Sequence, residues 1–160
     1  MNELIITKAV KNDLPIILDI QRKAFLEVAK TFNLQSMPQI EQTLESLTAE
    51  FKNCTILKAS IATTIVGSVR AYNKNDTCYI SRLIVLPKYQ NKGIGKALMN
   101  EIENQFQNIV NRYELFTGSR DRRNQYLYNQ LGYKSFKTEK HNSEISFVYM
   151  EKSVTHQPML

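Results

Sequence analysis

The stretch from Leu86 to Leu98 restricts the fold of this chain more than any other part of the sequence. An apolar run ends at a proline, a short polar loop follows, and two glycines stand at the start of an amphipathic pattern. A helix start has unpaired backbone N–H groups and the positive end of the helix dipole, so it favours an anion. Gly93 and Gly95 let the backbone come close to that anion. Lys92 and Lys96 add positive charge, so the stretch predicts a phosphate-binding turn.

Two common phosphate-binding loops do not fit this turn. The dinucleotide-binding fingerprint requires a third glycine at position 98, which Leu98 occupies. The P-loop requires glycine at position 90 and serine or threonine at position 97, where the chain has Gln90 and Ala97. The pattern that remains is Gln-x-x-Gly-x-Gly. Its alternative interpretation is a tight strand-to-helix turn that binds no ligand.

The Gln-x-x-Gly-x-Gly pattern resembles the cofactor loop of the GNAT superfamily of acyl-CoA N-acyltransferases, written Gln/Arg-x-x-Gly-x-Gly/Ala. Two flanking segments extend the resemblance. Residues 79–87, Tyr-Ile-Ser-Arg-Leu-Ile-Val-Leu-Pro, are similar to the fourth strand of that family. Residues 127–133, Leu-Tyr-Asn-Gln-Leu-Gly-Tyr, are similar to its Leu-Tyr-x-x-x-Gly-Phe/Tyr segment. These motifs cover the C-terminal half of the chain, and the N-terminal half fits more loosely.

Length and charge are those of one small basic domain. The 160 residues are enough to bury a core, and 21 basic against 15 acidic residues give a net charge of +6. That charge fits a polyanionic ligand such as CoA. Because the chain has no arginine-rich helix and no long apolar run, we predict neither nucleic acid nor membrane as a partner.

Two cysteines in a chain without a visible signal peptide favour a reducing, cytoplasmic location. We expect one domain over residues 1–152 and a C-terminal tail over residues 153–160. The sequence leaves a homodimer open.

Hydrophobic periodicity and turn signals predict strands alternating with helices. The predicted strands cover residues 4–7, 54–61, 65–72, 79–87, 113–116, 133–137 and 145–150. The predicted helices begin at Asn12 or Asp13, at a capping box opened by Ser36, at the Gly93 turn, and at Arg123. The second helix carries Ile40, Leu44, Leu47 and Phe51 on one face, and the third extends its apolar face to Ile109.

The resemblance implies an α/β (α+β) fold of the GNAT type. In that fold a central mixed, mostly antiparallel sheet of about seven strands is flanked by about four helices. The sheet is splayed between its fourth and fifth strands.

The resemblance also implies acetyl-CoA as co-substrate. In GNAT enzymes the pantetheine arm lies along the fourth strand, so backbone groups there would bind it. The Leu83 N–H is the predicted donor to the thioester carbonyl, an oxyanion-hole role. The pyrophosphate would lie on the N–H groups of residues 91–96. The predicted cofactor-binding residues are Leu83, Ile84, Val85, Gln90, Asn91, Lys92, Gly93, Ile94, Gly95, Lys96 and Asn124.

Tyr128 is the side chain that the resemblance assigns to protonating the departing thiolate. A phenol is protonated at neutral pH, which is the form that an acid requires. The alternative is a packing tyrosine between the core residues Leu127 and Leu131, and Tyr126 and Tyr133 are interpreted as packing residues. Many family members carry a CoA-contacting asparagine seven residues before this tyrosine. Asp121 stands there, so we prefer Asn124 for that contact and expect Asp121 to cap the helix.

The residue that deprotonates the amine is not identified by the sequence. Some family members have a glutamate on the fourth strand, at the position that Tyr79 occupies. Glu27, Glu41 and Glu45 lie on helices that usually shape the acceptor pocket, with the loop of residues 32–37 beside them. His141 and His156 lie outside the expected site. The cysteines and histidines have no ligand spacing, so no metal is predicted.

The sequence therefore predicts an N-acetyltransferase that moves an acetyl group from acetyl-CoA to an amine by direct attack in a ternary complex. Its first alternative is a non-catalytic, acetyl-CoA-binding regulatory module. A basic nucleic-acid-binding domain is the second alternative, and steeply salt-dependent DNA binding would identify it. The acceptor itself stays open between small amines and peptide amines.

Overall fold

The computed structural model describes residues 2–35 and 37–154 of the chain. Seven strands and five α-helices follow one another there, with short 3₁₀ turns at Lys11–Asp13 and Pro87–Tyr89. In chain order the elements are β1 (Leu4–Lys8), α1 (Leu14–Thr31), α2 (Pro38–Glu41), α3 (Leu44–Phe51), β2 (Thr55–Ile61), β3 (Thr64–Lys74), β4 (Thr77–Val85), α4 (Ile94–Phe106), β5 (Arg112–Gly118), α5 (Arg122–Gln130), β6 (Lys134–Lys140) and β7 (Ser146–Ser153).

One mixed sheet contains all seven strands in the order β1-β2-β3-β4-β5-β7-β6. Every described pair is antiparallel except β4 with β5, which run parallel. The predicted fold class is confirmed, including the mostly antiparallel sheet and its opening between the fourth and fifth strands. Five α-helices are found where about four were expected.

Helices cover both faces of the sheet. On one face α4 packs against β3 and β4 and fully buries Leu98, Met99 and Ile102. On the other face α1 packs against the same two strands, with Leu14 and Ile17 buried. The two layers hold β4 in the middle of the domain, so its backbone is a rigid platform for anything that binds at its open edge.

The second predicted helix is wrong in one respect, because it is divided into α2 and α3. Gln42 leaves the helical conformation with ψ 136°, and the Thr43 side chain then caps α3 by accepting from the Ser46 N–H. Gln42 accepts at its side-chain oxygen from buried Arg70 and at its carbonyl from Arg22. These contacts offset the lost helical bonds. The predicted capping box opens with Ser36, which lies outside the described residues.

Three smaller expectations are also wrong. Ile109 does not extend the apolar face of α4, because the helix ends at Phe106 and Ile109 is 57% exposed. Tyr126 is not a packing residue, since it is 65% exposed. Asp13 does not cap α1 through its side chain; its carboxylate accepts from the Val10 N–H, one turn earlier. The predicted tail is untested beyond Val154, because residues 155–160 are not described.

In the described part of the chain, no helix combines the length and the apolar character that crossing a bilayer requires.

Candidate active site

A β-bulge interrupts β4 close to the middle of the sheet. The register with β3 shifts there, so that Arg82 and Leu83 together oppose Val69 alone. Arg82 has a φ of +53°, in the left-handed region that an arginine rarely adopts. A bulge bends its strand and increases the local twist. This one lies shortly after Tyr79, the last residue of β4 that pairs with β5.

Beyond the bulge the edge of β4 is open. The parallel pairing with β5 covers only residues 77–79 of β4 and residues 112–114 of β5. Leu86 donates its N–H to Val66 of β3. Because backbone groups alternate in direction along a strand, the N–H groups of Val85 and Leu83 point away from β3. The gap between β4 and β5 therefore presents a backbone edge that an extended ligand could pair with.

The glycine turn stands at the end of this gap. Gly93 precedes α4 in a left-handed conformation with φ +85°, and Asn91 is left-handed as well, with φ +64°. The first bond of the helix runs from the Ala97 N–H to the Gly93 carbonyl. No hydrogen bond to another described residue uses the N–H groups of residues 91–96. Unpaired N–H groups at a helix start are what the predicted anion site requires.

Gly95 keeps the space next to this turn open. A Cβ placed on Gly95 would lie 3.7 Å from Leu127 of α5 and 3.8 Å from Leu83 of β4. It would therefore point into the space that separates the two elements. With glycine at this position, no side chain fills the space between the first turn of α4 and the side chains of Leu83 and Leu127.

Gln90 and Arg123 brace the turn from its two sides. The Gln90 side chain donates to the Val85 carbonyl at 3.0 Å, which ties the loop to the end of β4. Arg123, in the first turn of α5, donates to the side-chain oxygens of both Gln90 and Asn91. Its partners are neutral, so its positive charge remains available beside the anion site. The sequence contains no signal for Arg123, because only the fold brings α5 to the loop.

The lysines around the loop differ in their surroundings. Lys88 and Lys92 hold their ammonium groups 5.3 Å and 5.7 Å from the centre of the Tyr89 ring. Lys96 is exposed on the first turn of α4. Ile94 is instead buried, at 4% exposure, so only its backbone can contribute to binding.

A cavity of about 100 Å³ opens on the same gap. Leu83, Asn124 and Tyr128, three of the predicted site residues, line it together. The other lining residues come from α1 and the segment after it, from the end of β5 and the turn that follows it, and from the β6–β7 connection and the start of β7. The fold thus brings residues from distant parts of the sequence to one end of the open β4 edge.

Tyr128 is the most buried polar side chain of this cavity, with 6% exposure. Its ring packs edge-on against Tyr133 at 6.0 Å, and its hydroxyl makes no hydrogen bond to another described residue. Burial, aided by the nearby Asp121 carboxylate, raises the pKa of Tyr128 well above its usual range. The phenol therefore stays protonated at neutral pH and is free to donate to a ligand.

A family profile described as "Acetyltransferase (GNAT) domain" matches residues 20–154. This chain belongs to the GNAT acetyltransferase family. No curated protein sequence matches it at a significant level.

Similar solved structures of GNAT proteins support the same fold. The PaiA N-acetyltransferase of Thermoplasma acidophilum, in complex with coenzyme A, is 21% identical with a TM-score of 0.80, covering 94% of this chain and 99% of that one. The ribosomal-protein-S18-alanine N-acetyltransferase of Escherichia coli is 14% identical with a TM-score of 0.80, covering 98% and 97%. The acetyltransferase yncA of Salmonella typhimurium, with acetyl-CoA, is 16% identical with a TM-score of 0.74, covering 99% and 98%. At these identities the likeness establishes the fold alone.

The carboxylates that line the cavity of this GNAT domain differ from the candidates that the sequence offered. Glu27, Glu41 and Glu45 do not line the cavity, whereas Asp121 and Glu144 do. Asp121 accepts from the Asn124 N–H at 3.0 Å and so caps α5, as predicted. Glu144 belongs to the connection between β6 and β7, and no sequence pattern distinguishes it.

Tyr79 and His141 do not line the cavity of the GNAT domain. Tyr79 stacks on Tyr72 with ring centres 5.3 Å apart, and His141 packs on Phe147. His156 lies outside the described residues. No cluster of three or more His, Cys, Asp or Glu within residues 2–35 and 37–154 could hold a metal ion.

Proposed function

We propose that this GNAT protein is an N-acetyltransferase, which transfers the acetyl group of acetyl-CoA to an amine by direct attack in a ternary complex. One observation carries the proposal. The glycine turn and the Tyr128 cavity both adjoin the open part of β4, and Gly95 places no side chain beside Leu83, which lines the cavity. A long ligand with phosphates at one end and a reactive thioester at the other matches that arrangement.

The binding part of the proposal rests on backbone groups. Residues 91–96 would hold the pyrophosphate with their free N–H groups, and Arg123 would add positive charge. Leu83 and Val85 would pair with the pantetheine arm along β4 as a further strand would. That the similar proteins from Thermoplasma acidophilum and Salmonella typhimurium were solved with coenzyme A and acetyl-CoA supports this assignment.

The chemical part assigns two roles around the bound thioester, which supplies an activated acetyl group. The Leu83 N–H polarises the carbonyl and stabilises the negative charge that develops on its oxygen. The amine nitrogen forms a bond to the carbonyl carbon, and the carbon–sulfur bond breaks with its electron pair on sulfur. Tyr128 gives its proton to that sulfur. The proton that the new amide nitrogen loses returns to Tyr128 through water.

Direct attack is favoured over an acyl-cysteine intermediate. Burial raises the pKa of Cys54 to about 11 and that of Cys78 to about 12. Both thiols are therefore protonated at neutral pH, and only a thiolate is an effective nucleophile. Neither cysteine lines the cavity. Both are free, which agrees with the cytoplasmic location that the proposal includes.

A non-catalytic acetyl-CoA-binding module is the second candidate. The observation that favours it is Tyr79, a stacked tyrosine at the β4 position where some family members have a glutamate. Both candidates require acetyl-CoA to bind, and they differ in turnover.

The deciding experiment measures acetyl-CoA affinity by calorimetry and free thiol release across a panel of amine classes. The proposal expects tight binding and thiol release that depends on the amine, with an acetylated product in mass spectrometry. Binding without release for any amine would instead identify the regulatory module. Absence of acetyl-CoA binding would contradict both candidates.

A further inference from the structure

The cavity beside Tyr128 has one strongly apolar side, which we call the apolar wall. It consists of side chains from α1 and the segment that follows it: Phe25, Val28, Phe32, Leu34 and Met37. Water hydrates such a surface poorly, so an apolar ligand group that packs against it is stabilised because both surfaces leave water. A ligand that reaches Tyr128 through this cavity must lie against the apolar wall.

The charged residues of the cavity are nearly all committed to contacts within the protein. Arg120 donates to the Phe32 carbonyl at 3.2 Å and holds its guanidinium 5.2 Å from the centre of the Phe32 ring. The Asp121 carboxylate caps α5. The Glu144 carboxylate makes no hydrogen bond or ion pair with another residue in the described part of the chain. Glu144 therefore adds a carboxylate without a partner among the described residues to a cavity that also contains the Arg120 guanidinium and the Asp121 carboxylate.

The apolar character continues outside the cavity. Phe147 lines the cavity and packs on Phe116 of β5 at 4.9 Å, and Phe116 packs on Tyr149 at 5.3 Å. Phe116 is 41% exposed. The exposed aromatic rings extend the apolar surface along the open face of the β5–β7 pair.

We propose that the acceptor is a monoamine with an apolar body, a choice that rests on the proposed function. A single ammonium group matches the Glu144 carboxylate, which has no hydrogen bond or ion pair among the described residues, and the apolar body matches the apolar wall. The bound ammonium group gives one proton to solvent, and the neutral amine then attacks the thioester. A polyamine would bring further positive charges close to the Arg120 guanidinium, whose partners, the carbonyl and the ring of Phe32, are neutral. Removing water from charges that find no partner is costly.

A series of straight-chain amines tests whether the apolar body of the acceptor contributes to its recognition. The n-alkylamines from ethylamine to hexylamine share nearly one pKa, so the series changes only apolar length. We expect kcat/KM for thiol release to rise about fourfold for each methylene until the cavity is filled. Spermidine and the lysine side chain should be poorer acceptors than hexylamine by about tenfold or more. A peptide with N-terminal leucine, run beside hexylamine, separates a peptide source from a free amine.

Matched variants test whether the dependence of kcat/KM on amine length arises at the apolar wall. Val28→Asp puts a charge into the apolar wall and should lower kcat/KM for hexylamine by about tenfold or more, with ethylamine less affected. Leu26→Asp lies on the same helix, at a residue that is 44% exposed and does not line the cavity, and should change neither. Val28→Thr, which keeps the shape, replaces Val28→Asp if that variant unfolds. Glu144→Gln should raise KM for hexylamine about twofold to fivefold at low salt.

The outcomes separate this inference from the function on which it rests. Thiol release that is fastest with spermidine, or that does not vary along the alkylamine series, would overturn the inference and leave the acetyltransferase intact. Tight acetyl-CoA binding with no release for any amine would overturn both. Unchanged kinetics of the Val28 and Glu144 variants would show that the acceptor does not use this cavity.

Discussion

Tyr128 combines burial with a hydroxyl that no described residue engages, so its proton is available to a ligand. We expect Tyr128→Phe to lower kcat by about 10²-fold, the low end for general acid catalysis, because the raised pKa makes this phenol a weak acid. Acetyl-CoA affinity and melting temperature should hardly change, since the ring is kept. Tyr126→Phe, at an exposed position on the same helix, is the matched control. Wild-type kcat with chemistry rate-limiting would make Tyr128 a packing residue.

Arg123 is the second residue whose role can be isolated. Arg123→Gln should weaken acetyl-CoA binding about twofold to fivefold at low salt, and added salt should shrink the difference, because the side chain is exposed. Arg122→Gln, at the neighbouring position, changes the net charge by the same amount. The Arg122 side chain makes no contact with the loop among the described residues, so its loss should have a smaller effect. Equal losses in the two variants would mean that only net charge matters.

The two cysteines test direct transfer. The Cys54→Ala/Cys78→Ala variant should retain its turnover, because both thiols are protonated at neutral pH and neither lines the cavity. Its melting temperature should fall, since Cys78 is fully buried and alanine leaves a small void. Initial-rate lines that intersect indicate a ternary complex. An acetylated cysteine trapped by mass spectrometry, or loss of activity in the folded variant, argues for an acyl-enzyme.

At the scale of elements, Gly95 lies where the first turn of α4 comes close to β4. Substitutions of Gly95 should change the affinity for acetyl-CoA and the stability of the fold in different ways. Gly95→Ala removes a flexible residue from the first turn of α4 and should raise stability by about 0.5–1 kcal/mol. Gly95→Val adds an isopropyl group to the space between Leu83 and Leu127.

Acetyl-CoA affinity should therefore fall in the order glycine, alanine, valine, reaching about tenfold or more for valine, which is about 1.4 kcal/mol. Calorimetry and thermal melts of the three proteins measure the two effects side by side. If the valine variant is folded and binds acetyl-CoA as tightly as the wild type, acetyl-CoA does not lie beside Gly95.

The elements also differ in how well local patterns predict them. Glycines and the proline of residues 86–98 restrict the backbone at the turn itself, so the turn and the start of α4 follow from the sequence. The division of the second helix at Gln42 does not, because it depends on Arg70, a residue of a distant strand. The bulge at Arg82 is hidden for a similar reason, since pairing with β3 decides the conformation of this arginine.

At the scale of the whole molecule, an ion pair ties the N-terminal segment to the sheet. Lys58 of β2 donates to the Asp13 carboxylate at 2.8 Å, and the two side chains are 23% and 14% exposed. Burial by itself raises the pKa of Asp13, but hydrogen bonds from Lys58 and the Val10 N–H outweigh it and leave the pKa below its ordinary value. The folded state therefore favours the ionised carboxylate.

A lowered pKa contributes stability above the pKa of the unfolded chain, about 3.9, and that stability is lost as the pH falls through the folded-state pKa. Asp13→Asn should accordingly cost about 1–2 kcal/mol at pH 7 and nothing near pH 2. Melting temperatures of both proteins from pH 2 to pH 7 should converge at the acid end. A constant difference across this range would show that the charge of Asp13 is not what stabilises the fold.

By itself, the sequence of this chain determined the family, the order of the strands and most helices along the chain, and the glycine turn before α4. These follow from short-range rules, because strand and helix periodicity, glycine and proline act within a few residues of each other. Tertiary structure alone decided that Arg123 reaches the loop and that Glu144 lines the same cavity as Tyr128. Those residues come from distant segments, and only the pairing of the sheet and the packing of α1 and α5 set the distances between them.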